Sequence, residues 1–147
     1  FFVPTLTTYT LISAHGASQG IPRKMIDKID KAKAGGLESL KVALAAGLEI
    51  ASGSDVLASM QPMKALELGL KAQVLGAHGA ILSATRTNAK LFGMADEIGT
   101  VEEGKLADLL LVEGQPLDDV TILQDSRNVK LVMKSGAILK GEAATAA

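Results

Sequence analysis

The carboxylate of Asp55 occupies a place in the sequence where α/β proteins collect their chemically active groups. It follows a short apolar stretch, Leu48 to Ala51, after the chain is broken by Gly53 and Ser54. Such a stretch is typical of a buried strand, and ligands and catalytic groups gather at the C-terminal ends of strands in α/β sheets and barrels. Asp55 is therefore the first candidate for catalysis or ligand binding. The alternative is a structural aspartate, which turns and helix caps commonly use.

A tyrosine and two histidines offer further chemistry with weaker patterns. Tyr9 lies just past a strand that we predict over residues 2–6, so its hydroxyl could contact a substrate. The alternative is a packed ring whose hydroxyl is hydrogen-bonded nearby. His15 and His78 lack a second ligand at a recognisable spacing. We therefore expect His15 to face solvent and His78 to face solvent or cap a helix, rather than bind a metal.

The composition describes an ordinary folded protein and removes several classes of function. Of the 147 residues, 48% are apolar and 21% are charged, and the net charge is −1. These values favour a globular domain over disorder and argue against a nucleic-acid partner, since no basic run is present. The absence of cysteine excludes disulfides, thiolate metal sites and cysteine nucleophiles. No apolar run approaches the roughly 20 residues that span a bilayer, so we expect no membrane partner.

Hydrophobic spacing predicts that strands and helices alternate over residues 1–95. In chain order we predict a strand at 2–6, a loop at 11–20, a helix at 22–46, a short strand from 48, a loop at 56–61 and helices at 62–75 and 79–90. Pro22 and Pro62 would open their helices, and Pro4 suits a strand only near its edge or end. The Gly35-Gly36 pair costs a helix about 1 kcal/mol per glycine, so we expect a kink or break there.

The pattern changes to that of strands beyond residue 106. A continuous apolar run at 107–113 predicts one strand. Residues 129–133 and 137–139 flank Lys134-Ser135-Gly136, which is typical of a hairpin turn. We therefore divide the chain into a helix-and-strand part at 1–95, a connector at 96–106, a β module at 107–141 and a frayed tail at 142–147.

Four stretches of the sequence resemble the metal-dependent amidohydrolases. They are Val3-Pro4-Thr5-Leu6, Gly53-Ser54-Asp55, Ser83-Ala84-Thr85-Arg86-Thr87-Asn88-Ala89 and Gly99-Thr100-Val101-Glu102-Glu103-Gly104-Lys105-Leu106-Ala107-Asp108-Leu109. The last stretch is highly specific for the superfamily, although its role there is structural. The resemblance covers residues 2–141 and indicates the imidazolonepropionase-like branch, which includes Xaa-Pro dipeptidases and ochratoxin-hydrolysing amidases. Because the chain begins at Phe1 inside an apparent strand, we expect it to be the C-terminal portion of a longer protein.

The resemblance implies an α/β fold, namely the last strands and helices of a (β/α)₈ TIM-type barrel plus part of a small β-sandwich domain. It places residues 2–6 on strand seven and residues 48–53 on strand eight. Asp55 then falls on the aspartate that, in the family, binds one or two divalent ions, usually zinc, together with ligands from earlier strands. The resemblance thus implies that Asp55 is a metal ligand and a proton shuttle. The other ligands would lie outside this chain, which contains no His-x-His.

The resemblance also implies hydrolysis of an amide or peptide-like C–N bond in a small or dipeptide-like substrate, with Tyr9 and Gln61 lining the pocket. The family often has Met-His after the aspartate, but here Met60 is followed by Gln61, so the role of that histidine is open. Two alternatives remain. One is hydrolysis or deamination of a cyclic amide or amidine by a member of the same superfamily. The other is a non-catalytic fragment or subunit that folds only with a partner.

The implied partners are the missing N-terminal part of the barrel and, in the complete protein, further copies of itself. Alone, the chain would expose unpaired strand edges and apolar surface. We therefore expect it to aggregate or to require the missing portion. The cytoplasm is the expected compartment, and secretion or export stays open.

Overall fold

The computed structural model describes residues 1–56 and 58–141. In this part of the chain, four helices precede three strands. The helices are α1 (Leu6–His15), α2 (Arg23–Ala45), α3 (Leu66–Ala84) and α4 (Arg86–Leu91), and the strands are β1 (Leu109–Val112), β2 (Val129–Lys134) and β3 (Ala137–Lys140). Short 3₁₀ helices lie at Ala17–Gln19, Ala58–Met63 and Val120–Gln124. The mixture of helix and sheet agrees with the expected α/β class, and the predicted tail at 142–147 lies outside the described residues.

Residues 2–6 and 48–53 form much less strand than the sequence predicts. Phe2 and Ile50 make a single parallel bridge. In it, Phe2 N donates to Glu49 O at 2.9 Å and Ala51 N donates to Phe2 O at 3.0 Å. The chain then enters α1 at Leu6, so the predicted loop at 11–20 is wrong for residues 11–15, which are helical. Two short extended segments therefore lie side by side and in parallel, joined by one bridge.

The helix predicted at 22–46 is confirmed, but the break predicted at Gly35-Gly36 is wrong. Helix α2 is continuous, and Pro22 is the residue before it rather than its first residue. A Cβ atom at residue 36 would lie 2.7 Å from Leu6 Cδ2. Glycine at this position therefore leaves room for the side chain of Leu6 against α2, and α2 stays helical through both glycines.

One kinked helix replaces most of the two helices predicted at 62–75 and 79–90. Pro62 lies inside the 3₁₀ helix Ala58–Met63, which occupies part of the predicted loop, and α3 begins only at Leu66. Gly76 has a φ of 70°, which kinks α3 close to the predicted boundary. A second break at Thr85 separates α3 from α4. Gly93, with a φ of 70°, ends this region.

The three strands predicted beyond residue 106 are confirmed. They form an antiparallel sheet in the order β1-β2-β3, with β1 paired to β2 from Leu109↔Met133 to Val112↔Val129. At the hairpin between β2 and β3, Ser135 and Gly136 have φ values of 48° and 81°. Positive φ at both central residues is the pattern of a type I′ turn, whose twist matches that of the flanking strands. The 3₁₀ helix Val120–Gln124, which the sequence analysis did not predict, packs against α3.

The helices pack around two small apolar clusters that flank the candidate aspartate in sequence. One cluster consists of Leu11, Val56 and Met60, and the other of Leu40, Ala43 and Ile50. Each contains a residue within five positions of Asp55, so buried side chains anchor the chain on both sides of it. Among the described residues, none of the helices has the length and apolar character needed to cross a membrane.

Candidate functional site

Asp55 ends a non-helical stretch of backbone, residues 49–55, which we call the Asp55 segment. The residue is exposed. Its φ of 51° lies in the left-handed region, which aspartate adopts more readily than most residues other than glycine. The hydroxyl of Thr8, on α1, donates to the carbonyl oxygens of Ser54, at 3.0 Å, and of Asp55. Helix α1 therefore fixes the backbone from which the Asp55 side chain extends.

Side chains pair with the Asp55 segment beyond its single bridge. Lys71 Nζ, on α3, donates to the carbonyl oxygen of Ala51 at 2.7 Å. On the other edge, Asn88 Oδ1 accepts from Ser52 N at 2.8 Å, and Asn88 Nδ2 donates to Ser52 O at 3.0 Å. Asn88, on α4, thus forms hydrogen bonds with both the N–H and the C=O of Ser52, as the backbone of a neighbouring strand would.

Lys71 belongs to a buried ion pair that also reaches the start of α1. The side chains of Glu67 and Lys71 are 2% and 0% exposed, and Lys71 Nζ lies 3.5 Å from Glu67 Oε1. The other oxygen, Oε2, accepts from both N and Oγ1 of Thr7 at 2.8 Å. Within the described residues, Oε1 makes no hydrogen bond. Burial lowers the pKa of Lys71, and the negative charge of Glu67 opposes that shift.

This pair was not predicted, although the sequence contains a pattern for it. Between residues 65 and 85, Glu67 and Lys71 are the only members of the set Asp, Glu, Lys and Arg. They stand four residues apart, so they share one face of a helix. Opposite charges isolated in an otherwise uncharged helix indicate a buried pair, because lysine and glutamate are almost never buried without a partner. Asn88 lies in one of the stretches that carry the family resemblance, but no role was predicted for it.

The two predicted pocket residues are Tyr9 and Gln61. Each lies beside or takes part in a hydrogen bond to the backbone at Asp55 or at a residue adjacent to it. Tyr9 is 36% exposed and follows Thr8 on α1. It therefore lies on a helix, whereas the sequence analysis placed it just past the end of a strand. Gln61 is exposed, and its Nε2 donates to the carbonyl oxygen of Val56, the residue after Asp55. Their roles in substrate binding stay predictions.

Asp55 is not accompanied by enough ligands to hold a metal ion. Among residues 1–56 and 58–141, no group of three or more His, Cys, Asp or Glu side chains is arranged to hold one. A catalytic zinc ion requires about three protein ligands. His15 and His78 are both exposed, as expected. The described part of the chain therefore does not fit a metal by itself, and Asp55 offers one carboxylate.

A cleft of about 570 Å³ lies between the α3–α4 region and β1, and Asn88 also lines it. Its walls are mainly apolar and include Leu68, Phe92 and Leu109. Asp108, the carboxylate that lines it, accepts a hydrogen bond from Ser135 N at 2.7 Å and so has a structural task. The cleft offers fewer groups for chemistry than the surroundings of Asp55, which remain the candidate site.

Comparison with known families gives one extended match. The model of the amidohydrolase family matches residues 1–139. Among solved structures, the chain is similar to a prolidase complexed with N-methylphosphonate-L-proline, with a TM-score of 0.91 and 34% identity. That similarity covers 97% of this chain and 35% of the prolidase chain.

Curated relatives add two further activities. A 5-methylthioadenosine/S-adenosylhomocysteine deaminase of Moorella thermoacetica is 36% identical over 91 residues, which cover 54% of this chain and 21% of the deaminase. An ochratoxinase of Aspergillus niger is 27% identical over 124 residues, which cover 84% of this chain and 26% of the ochratoxinase. The chain thus spans about a quarter of the length of these relatives. The prolidase and the ochratoxinase agree with the branch that the sequence motifs indicate.

Proposed function

Because the chain belongs to the amidohydrolase family, we propose that it forms the C-terminal part of a metal-dependent hydrolase that cleaves an amide or peptide-like C–N bond. The observation on which the proposal rests is the exposed Asp55 at the end of a fixed stretch of backbone. Side chains from α1, α3 and α4 bind that stretch at several carbonyl and amide groups. A backbone fixed in this way favours the accurate placement that acid–base catalysis requires.

The role that we propose for Asp55 is to move a proton. Its carboxylate takes a proton from the attacking water and passes it to the leaving nitrogen, a task that typically contributes 10²- to 10⁴-fold in rate. The family generally uses a divalent metal, for which we propose one or two zinc ions. When bound, such an ion makes water acidic enough to supply hydroxide near neutral pH. Asp55 would be one ligand, and the remaining ligands would lie outside the described residues.

The barrel is the architecture that we propose for the complete protein. The parallel bridge between Phe2 and Ile50 supports the assignment of their segments to adjacent strands, seven and eight. The β module would form part of a small sandwich. Since the chain covers only 35% of the prolidase chain, we propose that an N-terminal part supplies the other strands and that the complete protein forms a homo-oligomer.

A dipeptide-like or other small amide is the substrate class that we propose, with Tyr9 and Gln61 lining its pocket. The similarities to a prolidase and an ochratoxinase support this choice. The deaminase from Moorella thermoacetica supports a second candidate, deamination or cyclic-amide hydrolysis. A third candidate is a non-catalytic piece that folds only with a partner, and a native gene without an upstream His-x-His would favour it.

Substitution of Asp55 tests the proposed function. The complete protein that contains this chain should be purified with its metal and assayed on Xaa-Pro dipeptides, N-acyl amino acids and adenosine-type compounds. Asp55→Asn should lower turnover at least about 100-fold, because amide cannot accept the proton. Asp118→Asn, at another exposed aspartate, should leave turnover unchanged. Near-normal turnover of metal-loaded Asp55→Asn would contradict the assignment, and activity on adenosine-type compounds alone would favour the second candidate.

Tyr9→Phe tests the pocket separately from the metal. Loss of the hydroxyl should raise KM or lower kcat/KM by removing a substrate contact, without changing the metal content. If elemental analysis showed metal lost together with the hydroxyl, the role of Tyr9 as a pocket residue would be wrong.

A further inference from the structure

The register of the bridge between Phe2 and Ile50 leaves one backbone group of the Asp55 segment without its usual donor. In a parallel ladder with this register, the N–H of residue 4 would be the next donor, and the carbonyl oxygen of Ala51 its acceptor. Proline at position 4 has no N–H. Ala51 is 0% exposed, so bulk water cannot satisfy that oxygen.

Lys71 occupies the place of the missing donor. Its ammonium nitrogen lies 2.7 Å from the carbonyl oxygen of Ala51, and its side chain is 0% exposed. Burying an ammonium group is costly unless it is both paired and hydrogen-bonded. The bond to Ala51 satisfies the backbone, and the carboxylate of Glu67 at 3.5 Å satisfies the charge.

Glu67 connects this contact to the helix that fixes Asp55. Its other oxygen accepts from the backbone and hydroxyl of Thr7, in the first turn of α1, where a negative charge is favourable. The next residue, Thr8, donates to the carbonyl oxygens of Ser54 and Asp55. Both ends of the stretch from Ala51 to Asp55 are therefore connected through the same buried pair.

We propose that Lys71 and Glu67 are positioning residues for Asp55, with Lys71 replacing the backbone donor that Pro4 lacks. The consequence for catalysis rests on the proposed function, whereas the consequence for the backbone does not. If Lys71 only filled space, a residue of similar volume would serve as well. If it replaces a donor, restoring an N–H at position 4 compensates for its loss.

A double-mutant cycle distinguishes the two roles. The variants are Lys71→Met, which keeps the length of the side chain and is made together with Glu67→Gln so that no carboxylate is left buried without a cation, Pro4→Ala, which restores an N–H, and the combination of both changes. Amide hydrogen exchange is followed in the complete protein over residues 48–56. Lys71→Met should speed exchange there about tenfold, since a hydrogen bond to a charged group contributes roughly 1.5–3 kcal/mol. In the Pro4→Ala background the same change should speed exchange by no more than about twofold.

A matched control uses another lysine that contacts this segment, Lys90. Lys90 bonds Glu49, but the two side chains are 41% and 48% exposed. Lys90→Met should leave exchange over 48–56 within about twofold of the parent protein. Exchange over β1 and β2 should also be unchanged in Lys71→Met, which separates a local effect from general destabilisation.

The kinetic measurement tests the consequence for Asp55. Lys71→Met should lower kcat about tenfold with little change in KM, and Pro4→Ala should recover most of that loss. Equal effects of Lys71→Met in both backgrounds, in exchange or in kcat, would overturn the proposal, as would a double variant as poorly folded as the single one. If the parent protein hydrolyses no C–N bond, the proposed function fails, and the exchange cycle still decides whether Lys71 replaces the donor.

Discussion

The backbone N–H and C=O groups of the Asp55 segment and those of the β module have different kinds of hydrogen-bond partner. In the β module, three antiparallel strands pair backbone to backbone. Its side chains contribute less, since Leu110 and Leu111 on β1 are each 60% exposed. In the Asp55 segment, one backbone bridge at Ile50 is followed by bonds from the side chains of Lys71, Asn88 and Thr8.

The difference predicts where the protein is sensitive to substitution. A backbone ladder keeps its N–H and C=O groups whichever side chain is present. Where a side chain replaces the ladder, its removal leaves a backbone group unpaired, at a cost of about 1–3 kcal/mol where that group is buried, as at Ala51. A charged side chain raises the cost further, because its partner is left as an unpaired buried charge. Substitutions around Asp55 should therefore cost more than similar ones in the β module.

Glu67→Leu should show the largest effect. It leaves the ammonium of Lys71 buried without a carboxylate, and the free energy of unfolding should fall by about 3–5 kcal/mol. Glu38→Leu is the matched control, because Glu38 pairs with Lys41 on α2 at the surface, where the side chains are 68% and 60% exposed. It should change stability by less than about 0.5 kcal/mol. Urea unfolding of both variants measures the contrast, and similar losses in the two would contradict it.

Asn88→Ala should have the next largest effect. It removes both bonds to the backbone of Ser52, and we expect a loss of about 2 kcal/mol. In the β module, Asn128→Ala removes one bond, from Asn128 Nδ2 to Ile122 O at 2.9 Å, and should cost about 1 kcal/mol. Thermal or urea unfolding compares them. A larger loss for Asn128→Ala would mean that the Asp55 segment depends less on side chains than its geometry indicates.

The pH dependence of stability should also reflect the buried lysine. Burial lowers the pKa of folded Lys71 below its ordinary value of 10.5, which the unfolded chain retains. As the pH rises through the folded pKa towards 10.5, the unfolded chain holds more protons on this residue. The free energy of unfolding should therefore rise relative to that of Lys71→Met. Urea titrations of both proteins between about pH 8 and pH 10.5 measure this difference. A difference that falls with pH would mean that attraction to Glu67 outweighs burial.

The hairpin of the β module should respond least, and in the stabilising direction. Ser135 has a φ of 48°, a region that costs most residues about 1–2 kcal/mol but that asparagine adopts more easily. Ser135→Asn should therefore raise the free energy of unfolding by a fraction of 1 kcal/mol. Ser135→Ala should lower it, and a stabilising alanine would exclude backbone strain as the cause.

Elements with a strong local pattern could be predicted from the sequence. Helix α2 has an amphipathic pattern, and the hairpin has turn residues between apolar strands, so each follows from its own residues. The position of Asp55 after an apolar stretch was also visible. These features depend on neighbours in the chain, which is why no knowledge of the tertiary structure was required.

Helix α1 and the contacts that the buried pair makes outside α3 could not be predicted in the same way. The β-branched residues of α1 favour a strand by intrinsic propensity; they are Thr7, Thr8, Thr10 and Ile12. The helix forms instead, in contact with residues that are distant in the chain. Glu67, sixty residues away in the chain, accepts hydrogen bonds at its first turn. The partner of Lys71 is a backbone oxygen twenty residues away. Contacts of this kind leave no periodic pattern in the sequence. One partner is a backbone group, which does not depend on the type of side chain at that position.

The proline at position 4 also has a consequence for the history of the sequence. A lysine at 71 is compatible with any residue at 4, since the oxygen of Ala51 can accept from either donor. A proline at 4 is compatible with a buried Ala51 carbonyl only when another donor is already in place. The lysine would therefore have been the permissive substitution and the proline the dependent one. Across descendants of a common ancestor, proline at 4 should be gained after lysine at 71 and should rarely outlast it.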